Sequence, residues 1–140
     1  PHHAVVYQKM QGDELELLIL PIEGKGLWST LYGFIALEKD GTTIRGITFY
    51  EHGETPGLGG EVDNPGWKGK WTGRKAFNVK GKPAIEVIKG AAGPADQSPH
   101  AVDGLSGATI TSNGVTYLVQ FWLGEKGFGP FLANIKSGGA

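Results

Sequence analysis

The segment of the sequence with the most potential chemistry spans residues 103–114, Asp-Gly-Leu-Ser-Gly-Ala-Thr-Ile-Thr-Ser-Asn-Gly. Apart from Asp103 it holds no usual catalytic acid or base. An alcohol is a poor nucleophile at neutral pH without an activating base, and no base stands beside the hydroxyls of this segment in the sequence. What the segment offers is four hydroxyl groups close together, those of Ser106, Thr109, Thr111 and Ser112.

A strongly amphipathic segment follows at once. Its apolar residues recur at helical spacing, which predicts a helix from about Ser112 to Leu123. The hydroxyl cluster therefore lies at a helix N-terminus, where unpaired backbone N–H groups and the positive end of the helix dipole favour an anion. The apolar stripe consists of Val115, Leu118, Val119, Trp122 and Leu123.

Two interpretations of the hydroxyl cluster stay open on this evidence. Ser and Thr are common N-caps before an apolar run, and Gly beside Ser is ordinary turn chemistry. One cap, however, needs only one hydroxyl. A cap also does not require Gly107 and Ala108, small residues that leave the side chain of Thr109 open to approach.

The segment resembles the flavinylation motif of the FMN-binding domain family, through the run Ser106-Gly107-Ala108-Thr109 with Asp103 before it and Thr111 after it. In that family a magnesium-dependent flavin transferase moves FMN from FAD onto the last Thr of the motif, and a phosphoester forms with its hydroxyl. The resemblance implies that Thr109 is the covalent attachment site of FMN. It also implies that FMN is contacted by Ser106, Gly107, Ala108 and Thr111.

A second unusual segment, 51–61, reads Glu-His-Gly-Glu-Thr-Pro-Gly-Leu-Gly-Gly-Glu and directly follows a predicted strand. A surface turn with solvated acids is one interpretation, since Gly and Pro mark loops. The other is a ligand loop, in which glycines let the backbone approach a bound group closely. No Gly-Lys-Ser/Thr follows, so the segment does not match a phosphate-binding P-loop.

Further segments resemble the branch of the family that belongs to sodium-translocating NADH:quinone reductases. They are 26–29, 50–61, 63–65, 102–109, 121–124 and 127–132. The related branch of Rnf-type ferredoxin:NAD oxidoreductases shares the Glu-Thr-Pro-Gly-Leu-Gly and Ser-Gly-Ala-Thr elements and is the alternative. The Asp-Asn-Pro stretch and the Gly-Phe-Gly-Pro-Phe-Leu tail favour the first branch. The resemblance implies an FMN-carrying electron-transfer subunit of a membrane complex, with NADH oxidised and quinone reduced on other subunits.

The same resemblance implies an N-terminal transmembrane helix, which this sequence does not contain, because no run of about 18 or more apolar residues is present. We therefore expect a soluble domain that is anchored in the full-length protein. It is expected on the periplasmic face of the bacterial inner membrane. The expected partners are the other subunits of the reductase complex and, transiently, the flavin transferase.

The family motifs also imply flavin contacts outside the attachment motif. Trp28 and Leu58 are expected to cover the faces of the isoalloxazine ring, which needs apolar surface. One interpretation of Lys89 is that it offsets the charge of phosphate or reduced flavin, and the favoured interpretation is a solvated lysine. Glu54 is expected to hold the ribityl hydroxyls. Thr55 and Gly59 are expected to supply polar or backbone contacts.

Composition argues against several other classes of protein. The net charge is −1 with both signs dispersed, so no nucleic-acid partner is expected. The absence of cysteine removes disulfides, thiolate catalysis and iron–sulfur clusters. No metal site is expected, because His52 and His100 are far apart in sequence and no ligand-spaced pair joins them. The strand–Gly-x-Gly-x-x-Gly–helix pattern of a dinucleotide fold is also absent, so the domain is not expected to bind NADH.

The length of 140 residues suits a single FMN-binding domain, 1–140. We predict an α+β fold with an antiparallel twisted sheet flanked by a few helices. All strands are expected to be antiparallel because the connections are too short for helical crossovers. Residues 21–26 are predicted to form a loop and 62–72 and 131–135 short helices. The predicted strands are 4–10, 14–20, 30–37, 43–50, 77–79 and 83–89.

Two rival functions remain at this stage. One is a flavin-binding domain that holds FMN reversibly, without a covalent bond. The other is a non-redox module, such as a sugar-binding domain that uses Trp28 and the glycine-rich segment. Purified protein that stays yellow after denaturation and desalting would exclude both.

Overall fold

The first half of the chain forms a four-stranded antiparallel sheet in which sequential strands are neighbours. The structure is a computed structural model that describes residues 5–136, so the predicted strand start at residue 4 and the two histidines before it lie outside the described residues. Tight turns join β1 to β2 and β3 to β4. The strands are β1 (Tyr7–Gln11), β2 (Glu14–Lys25), β3 (Thr30–Glu38) and β4 (Ile44–Glu51).

The second half of the described chain contains short elements and two longer helices. A 3₁₀ helix covers Gly59–Asp63, and a two-stranded pair lies between α1 and α2. This combination of an antiparallel sheet and a few helices confirms the predicted α+β fold. The remaining elements are α1 (Pro65–Gly69), β5 (Glu86–Val87), β6 (Ala101–Val102), α2 (Thr109–Leu123) and α3 (Gly129–Lys136).

The core lies between one face of the sheet and α2. Alternate residues of β3 are buried, as expected for a strand with one covered face. The buried stripe of α2 matches the predicted helical spacing, apart from Trp122, which is only partly buried and packs against the edge of the core. The buried apolar residues include Leu18, Leu20, Ile22, Leu31, Ile35 and Phe49 from the sheet and Val115, Leu118, Val119 and Leu123 from α2.

The predicted loop at 21–26 is wrong, because β2 continues to Lys25. Pro21 pairs with Phe34 of β3, while the pairing of β1 with β2 extends only to Ile19. Proline lacks a backbone N–H and is tolerated in a strand where no neighbour needs that donor. The end of β2 is therefore long enough to reach α2.

The predicted helix 62–72 is also wrong in extent. The chain instead forms the 3₁₀ helix and then the short helix α1, for which Asn64 acts as N-cap by accepting a hydrogen bond from Gly66 N. Glycines interrupt this region and weaken a longer helix. Trp67 and Trp71 are in contact, with ring centroids 5.7 Å apart in an edge-to-face arrangement.

Two predicted strands, 77–79 and 83–89, are reduced to an isolated bridge between Phe77 and Pro83 and the two-residue strand β5. β5 pairs with β6 in parallel, which contradicts the expectation that every strand is antiparallel. The connection between them, 88–100, is long enough for a crossover. The prediction had assumed that all connections were short.

The other face of the sheet carries aromatic side chains. Phe34 stacks on Tyr50 with ring centroids 5.4 Å apart, and Tyr7 meets Phe34 edge-on at 6.2 Å. These contacts link β1, β3 and β4 across the outer surface. A β-bulge between Lys9 and Met10 interrupts the register of the edge strand β1.

Helix α2 approaches the end of β2 closely because both elements carry glycine there. A Cβ added to Gly24 would lie 2.4 Å from Cβ of Leu118, and one added to Gly114 would lie 2.2 Å from the carbonyl oxygen of Lys25. Farther along, the indole of Trp122 donates a hydrogen bond of 2.9 Å to the carbonyl oxygen of Glu23. Helix α2 is thus held against β2 from Gly114 to Trp122.

We expect Gly114→Ala to destabilise the fold although alanine is the better helix former. The added methyl meets backbone rather than a flexible side chain, so α2 has to shift, at a cost of about 1–3 kcal/mol. Gly46→Ala is the matched control, because a Cβ at Gly46 has nothing within 4 Å, and it should change stability by less than about 0.5 kcal/mol. Urea denaturation measures both. Equal stabilities of the two variants would contradict the close approach.

Candidate functional site

Helix α2 begins at Thr109, earlier than the predicted start near Ser112. Its N-cap residue is Ala108, which provides no side-chain hydrogen bond to the first turn. The first N–H groups of a helix have no partner within the helix itself. The hydroxyl of Thr109 and these N–H groups therefore belong to the same exposed turn.

The structure separates the four hydroxyls of segment 103–114 into two pairs. Thr111 and Ser112 are buried, with 1% and 5% of their surfaces exposed. Thr111 donates to Glu54, and the Ser112 hydroxyl accepts a hydrogen bond of 3.1 Å from the backbone N–H of Leu105. The hydroxyls open to approach are those of Ser106 and Thr109.

A groove of about 360 Å³ runs beside the start of α2. One wall comes from the segment after β5 and the other from the loop and first turns around Thr109. The side chain of Lys89 brings a positive charge to this groove. The residues that line the groove include Val87, Lys89, Ser106, Gly107, Thr109 and Asn113.

Asp103 and Gly104 hold the two walls of the groove together. The carboxylate of Asp103 accepts a hydrogen bond of 2.9 Å from the N–H of Ala92, and Lys70 lies 3.3 Å from it. The N–H of Gly104 donates to the carbonyl oxygen of Gly90 at 2.9 Å. These bonds fix the segment that carries the groove lysine relative to the attachment motif, so Asp103 acts here as a structural anchor.

Burial raises the pKa of Asp103, but stronger opposing effects leave it below its ordinary value. Those effects are the hydrogen bond from the backbone of Ala92 and the positive charges of Lys70 and Arg74. Asp103 is therefore an ionised carboxylate at neutral pH, and its two oxygens are engaged by the N–H of Ala92 and by Lys70.

Glu54 lies on the opposite side of the α2 terminus and is 5% exposed. One carboxylate oxygen accepts hydrogen bonds of 2.7 Å from the N–H of Leu27 and 2.7 Å from the hydroxyl of Thr111. The other accepts from the N–H of Trp28 at 3.0 Å and from the hydroxyl of Ser29 at 2.7 Å. A carboxylate has about four acceptor positions, and here protein donors fill them.

The predicted role of Glu54 as a holder of ribityl hydroxyls therefore needs correction. With its acceptor positions occupied by protein donors, the carboxylate joins the turn after β2, the loop after β4 and the first turn of α2. Burial raises its pKa, but the hydrogen bonds from Thr111, Ser29, Leu27 and Trp28 outweigh burial and lower the pKa to about 2. The side chain is ionised in the folded protein.

Three of the predicted flavin contacts, Trp28, Leu58 and Gly59, are not among the residues that line the groove. Trp28 is 70% exposed and Leu58 is 45% exposed, which leaves both available as apolar surface. A Cβ added to Gly107 would lie 3.0 Å from a methyl group of Leu58, so this leucine lies beside the attachment motif. Gly59 is buried against Thr111.

Three predicted contacts have other roles in the described structure. The carbonyl oxygen of Thr55 accepts hydrogen bonds from the N–H groups of Leu58 and Gly60 and so shapes the loop itself. The side chain of Thr111 is turned inward to Glu54, so only its backbone remains for an anion. Ala108 is 8% exposed and serves as the helix N-cap residue.

The sequence did not predict the role of residues whose partners become neighbours only in the folded chain. Ser29 is an example, because its hydroxyl donates to Glu54 and accepts from the N–H of Gly53 at 2.8 Å. The partners of the Asp103 carboxylate were also missed. A signal for Ser29 was present in the sequence, since it lies in the matched stretch 26–29, but its partner is 25 residues away.

Two further findings concern membranes and metals. None of the helices formed by residues 5–136 has both the length and the apolar character needed to cross a bilayer. Within the same residues, no cluster of three or more His, Cys, Asp or Glu side chains could hold a metal ion.

The sheet, the groove and the exposed motif together match a known class of domain. The family model of the FMN-binding domain matches residues 26–124, and the chain belongs to this family. FMN is therefore the cofactor of the domain. The match includes both the Ser-Gly-Ala-Thr run at residues 106–109 and the glycine-rich loop.

The relatives define the branch of that family. The chain is 57% identical over 135 residues to the NqrC protein of the Na⁺-translocating NADH-quinone reductase of Vibrio parahaemolyticus, with 96% of this chain and 51% of that protein covered. The NqrC protein of Pseudomonas aeruginosa is 52% identical over 139 residues, with 99% and 53% covered. The predicted resemblance to this branch is confirmed. The chain spans about half the length of these curated relatives.

Solved structures agree. The crystal structure of Shewanella oneidensis NqrC superposes with a TM-score of 0.88 at 42% identity and covers 96% of this chain and 61% of that one. The corresponding protein from Parabacteroides distasonis gives a TM-score of 0.77 at 36% identity, with 91% and 61% covered.

The Glu54 carboxylate should make stability depend on pH. Its folded-state pKa of about 2 lies below the ordinary value of 4.5, so its contribution is fully present above about pH 5 and is lost as the pH falls towards 2. We expect Glu54→Gln to lower the free energy of unfolding at pH 7 by roughly 2–3 kcal/mol, with a smaller difference from wild type at pH 2.5. Urea denaturation at both pH values measures this. A difference that stays constant with pH would contradict it.

Proposed function

We propose that this domain carries FMN joined by a phosphoester to the side chain of Thr109. The observation that supports it most directly is the separation of the motif hydroxyls. Thr111 and Ser112 are buried and engaged, whereas Thr109 is exposed in the first turn of α2 and lines the groove. Ser106 also lines the groove but precedes the helix.

FAD can serve as the donor of FMN in the attachment reaction. The hydroxyl oxygen of Thr109 attacks the phosphorus on the flavin side of the FAD pyrophosphate. The new oxygen–phosphorus bond forms, the pyrophosphate bond breaks, AMP leaves, and the hydroxyl proton is lost. The carboxylate of Asp103 is committed to Ala92 and Lys70. We infer that a separate, magnesium-dependent flavin transferase supplies the base and the metal.

The residues around Thr109 fit a phosphorylated flavin. The α2 terminus is not capped by a side chain, so its first N–H groups are available to phosphate oxygens. Lys89 would place a positive charge in the same groove. On the other side of the motif, Trp28 and Leu58 provide exposed apolar surface for the ring. Backbone groups at Gly59 and Thr55 lie in the adjoining loop.

We propose that the domain is an electron-transfer subunit of a sodium-translocating NADH:quinone reductase. FMN supplies the capacity to accept and donate electrons, and the protein positions it and limits its release. The names of the relatives support this assignment. The partners would be other subunits of the complex, and the full-length protein would be anchored by an N-terminal helix on the periplasmic face of the inner membrane.

The proposal predicts a specific change in mass. Co-expressed with its flavin transferase, the domain should gain the mass of FMN less one water, and Thr109→Val should abolish the gain. Ser106→Ala should retain the added mass, because Ser106 is not the acceptor. Intact-mass spectrometry of denatured protein measures all three.

Each outcome of this experiment separates one function from another. No added mass in the wild type, with the transferase shown to modify a known substrate, would contradict covalent attachment. Yellow protein without added mass would indicate reversible FMN binding instead. An added mass that survives in Thr109→Val and is lost in Ser106→Ala would move the attachment site to Ser106.

A further inference from the structure

The buried carboxylate of Glu54 is the one side chain in the described structure that contacts three separate parts of the candidate site. Its donors come from the turn 27–29 and from Thr111 in the first turn of α2, and Glu54 itself belongs to the glycine-rich loop. We propose that Glu54 is a positioning residue for FMN attachment, which acts through its hydrogen bond to Thr111 to hold the Thr109 hydroxyl where the transferase can reach it. This inference rests on the proposed function.

The geometry indicates that Glu54 acts on the acceptor indirectly. Thr111 is two residues beyond Thr109 in the same helical turn, and its side chain faces the core while that of Thr109 faces solvent. A helix that is not capped by a side chain frays readily at its first turn. The bond from Thr111 to Glu54 ties this turn to the sheet, because the carboxylate is in turn held by the backbone that precedes β3.

The space for this carboxylate is created by two glycines. A Cβ added to Gly26 would lie 2.5 Å from a Glu54 carboxylate oxygen, and one added to Gly59 would lie 2.6 Å from the Thr111 hydroxyl oxygen. Any larger residue at either position would displace the hydrogen bond itself. The glycines of this region therefore serve the positioning of Glu54 and Thr111 as well as backbone flexibility.

A second hydrogen bond acts with this one on the same turn. The Ser112 hydroxyl accepts from the N–H of Leu105, which ties the first turn back to the loop before it. That bond restrains the helix start relative to its own loop. The bond from Thr111 to Glu54 instead restrains it relative to the sheet, across 57 residues of sequence.

Two substitutions at Thr111 distinguish positioning from packing. Thr111→Val keeps the shape of the side chain but removes its hydroxyl, whereas Thr111→Ser keeps the hydroxyl but removes a methyl group. If the hydrogen bond positions the acceptor, valine should slow FMN transfer about tenfold to a hundredfold, and serine should slow it less than about threefold. If Thr111 only fills space, the order should be reversed.

The measurement is the rate of FMN incorporation by the flavin transferase at saturating FAD and magnesium, with the concentration of the domain varied. Misplacement of the hydroxyl should lower kcat more than it raises KM, because the surface that the transferase binds is unchanged. Glu54→Leu, which removes both acceptor oxygens, should also slow the transfer. In the double variant, the effects should not multiply, since each change breaks the same bond.

A matched control is available at the opposite end of the sheet. The Thr43 hydroxyl donates to the carboxylate of Asp40 in the turn between β3 and β4, the same chemistry as the bond from Thr111 to Glu54. Thr43→Val should lower the melting temperature while leaving the transfer rate per folded molecule at the wild-type value. A slowing equal to that of Thr111→Val would overturn the proposal, because the effect would then follow stability alone.

The reaction of the wild-type domain distinguishes a failure of the proposed function from a failure of the positioning role of Glu54. If the wild type gains no FMN from a transferase that is active on another substrate, the proposed function fails. If the wild type is modified and Thr111→Val reacts at the wild-type rate, covalent attachment stands and the positioning role of Glu54 is wrong.

Discussion

The candidate site depends on one buried negative charge. A carboxylate removed from water is costly unless hydrogen bonds replace its solvent, and Glu54 obtains four of them from the protein. The pairing of β3 with β4 makes this arrangement possible. Tyr32 lies opposite Glu51, so the turn before β3 and the loop after β4 meet at the same end of the sheet. The fold thus brings the donors to the carboxylate, and the carboxylate then fixes the start of α2.

The charges around α2 are arranged on opposite sides of its first turn. Glu54 is enclosed on the inner side, where the hydroxyls of Thr111 and Ser29 shield it. The groove on the other side has Lys89 and the uncapped helix terminus. A phosphate at Thr109 would therefore meet favourable charge, while the ionised carboxylate of Glu54 is stabilised by its own donors on the inner side. This separation allows an anionic ligand and an acidic residue to share one helix terminus.

The sequence was sufficient to predict the features that repeat along the chain or form a contiguous motif. The helical stripe from Val115 to Leu123 predicted α2, and the run ending at Thr109 indicated the FMN-binding family. Features that depend on distant contacts were not predictable. Pro21 suggested a loop because the sequence does not show that β1 ends before it. Glu54 was assigned to the ligand because its donors lie 25–57 residues away. The parallel pairing of β5 with β6 was missed for the same reason.

The packing around Glu54 also restricts how this chain can diverge. Positions 26 and 59 accept only glycine while the Glu54 carboxylate and the Thr111 hydroxyl occupy the space beside them. Conversely, a smaller residue in place of Glu54 would release Gly26 from that restriction, whereas a side chain at Gly59 would still meet the Thr111 hydroxyl. The residues at positions 26, 54 and 59 therefore constrain one another, although they are spread over two segments of the sequence. A lineage that lost the acid would be expected to accumulate a side chain at Gly26 first, and at Gly59 only after Thr111 had also changed.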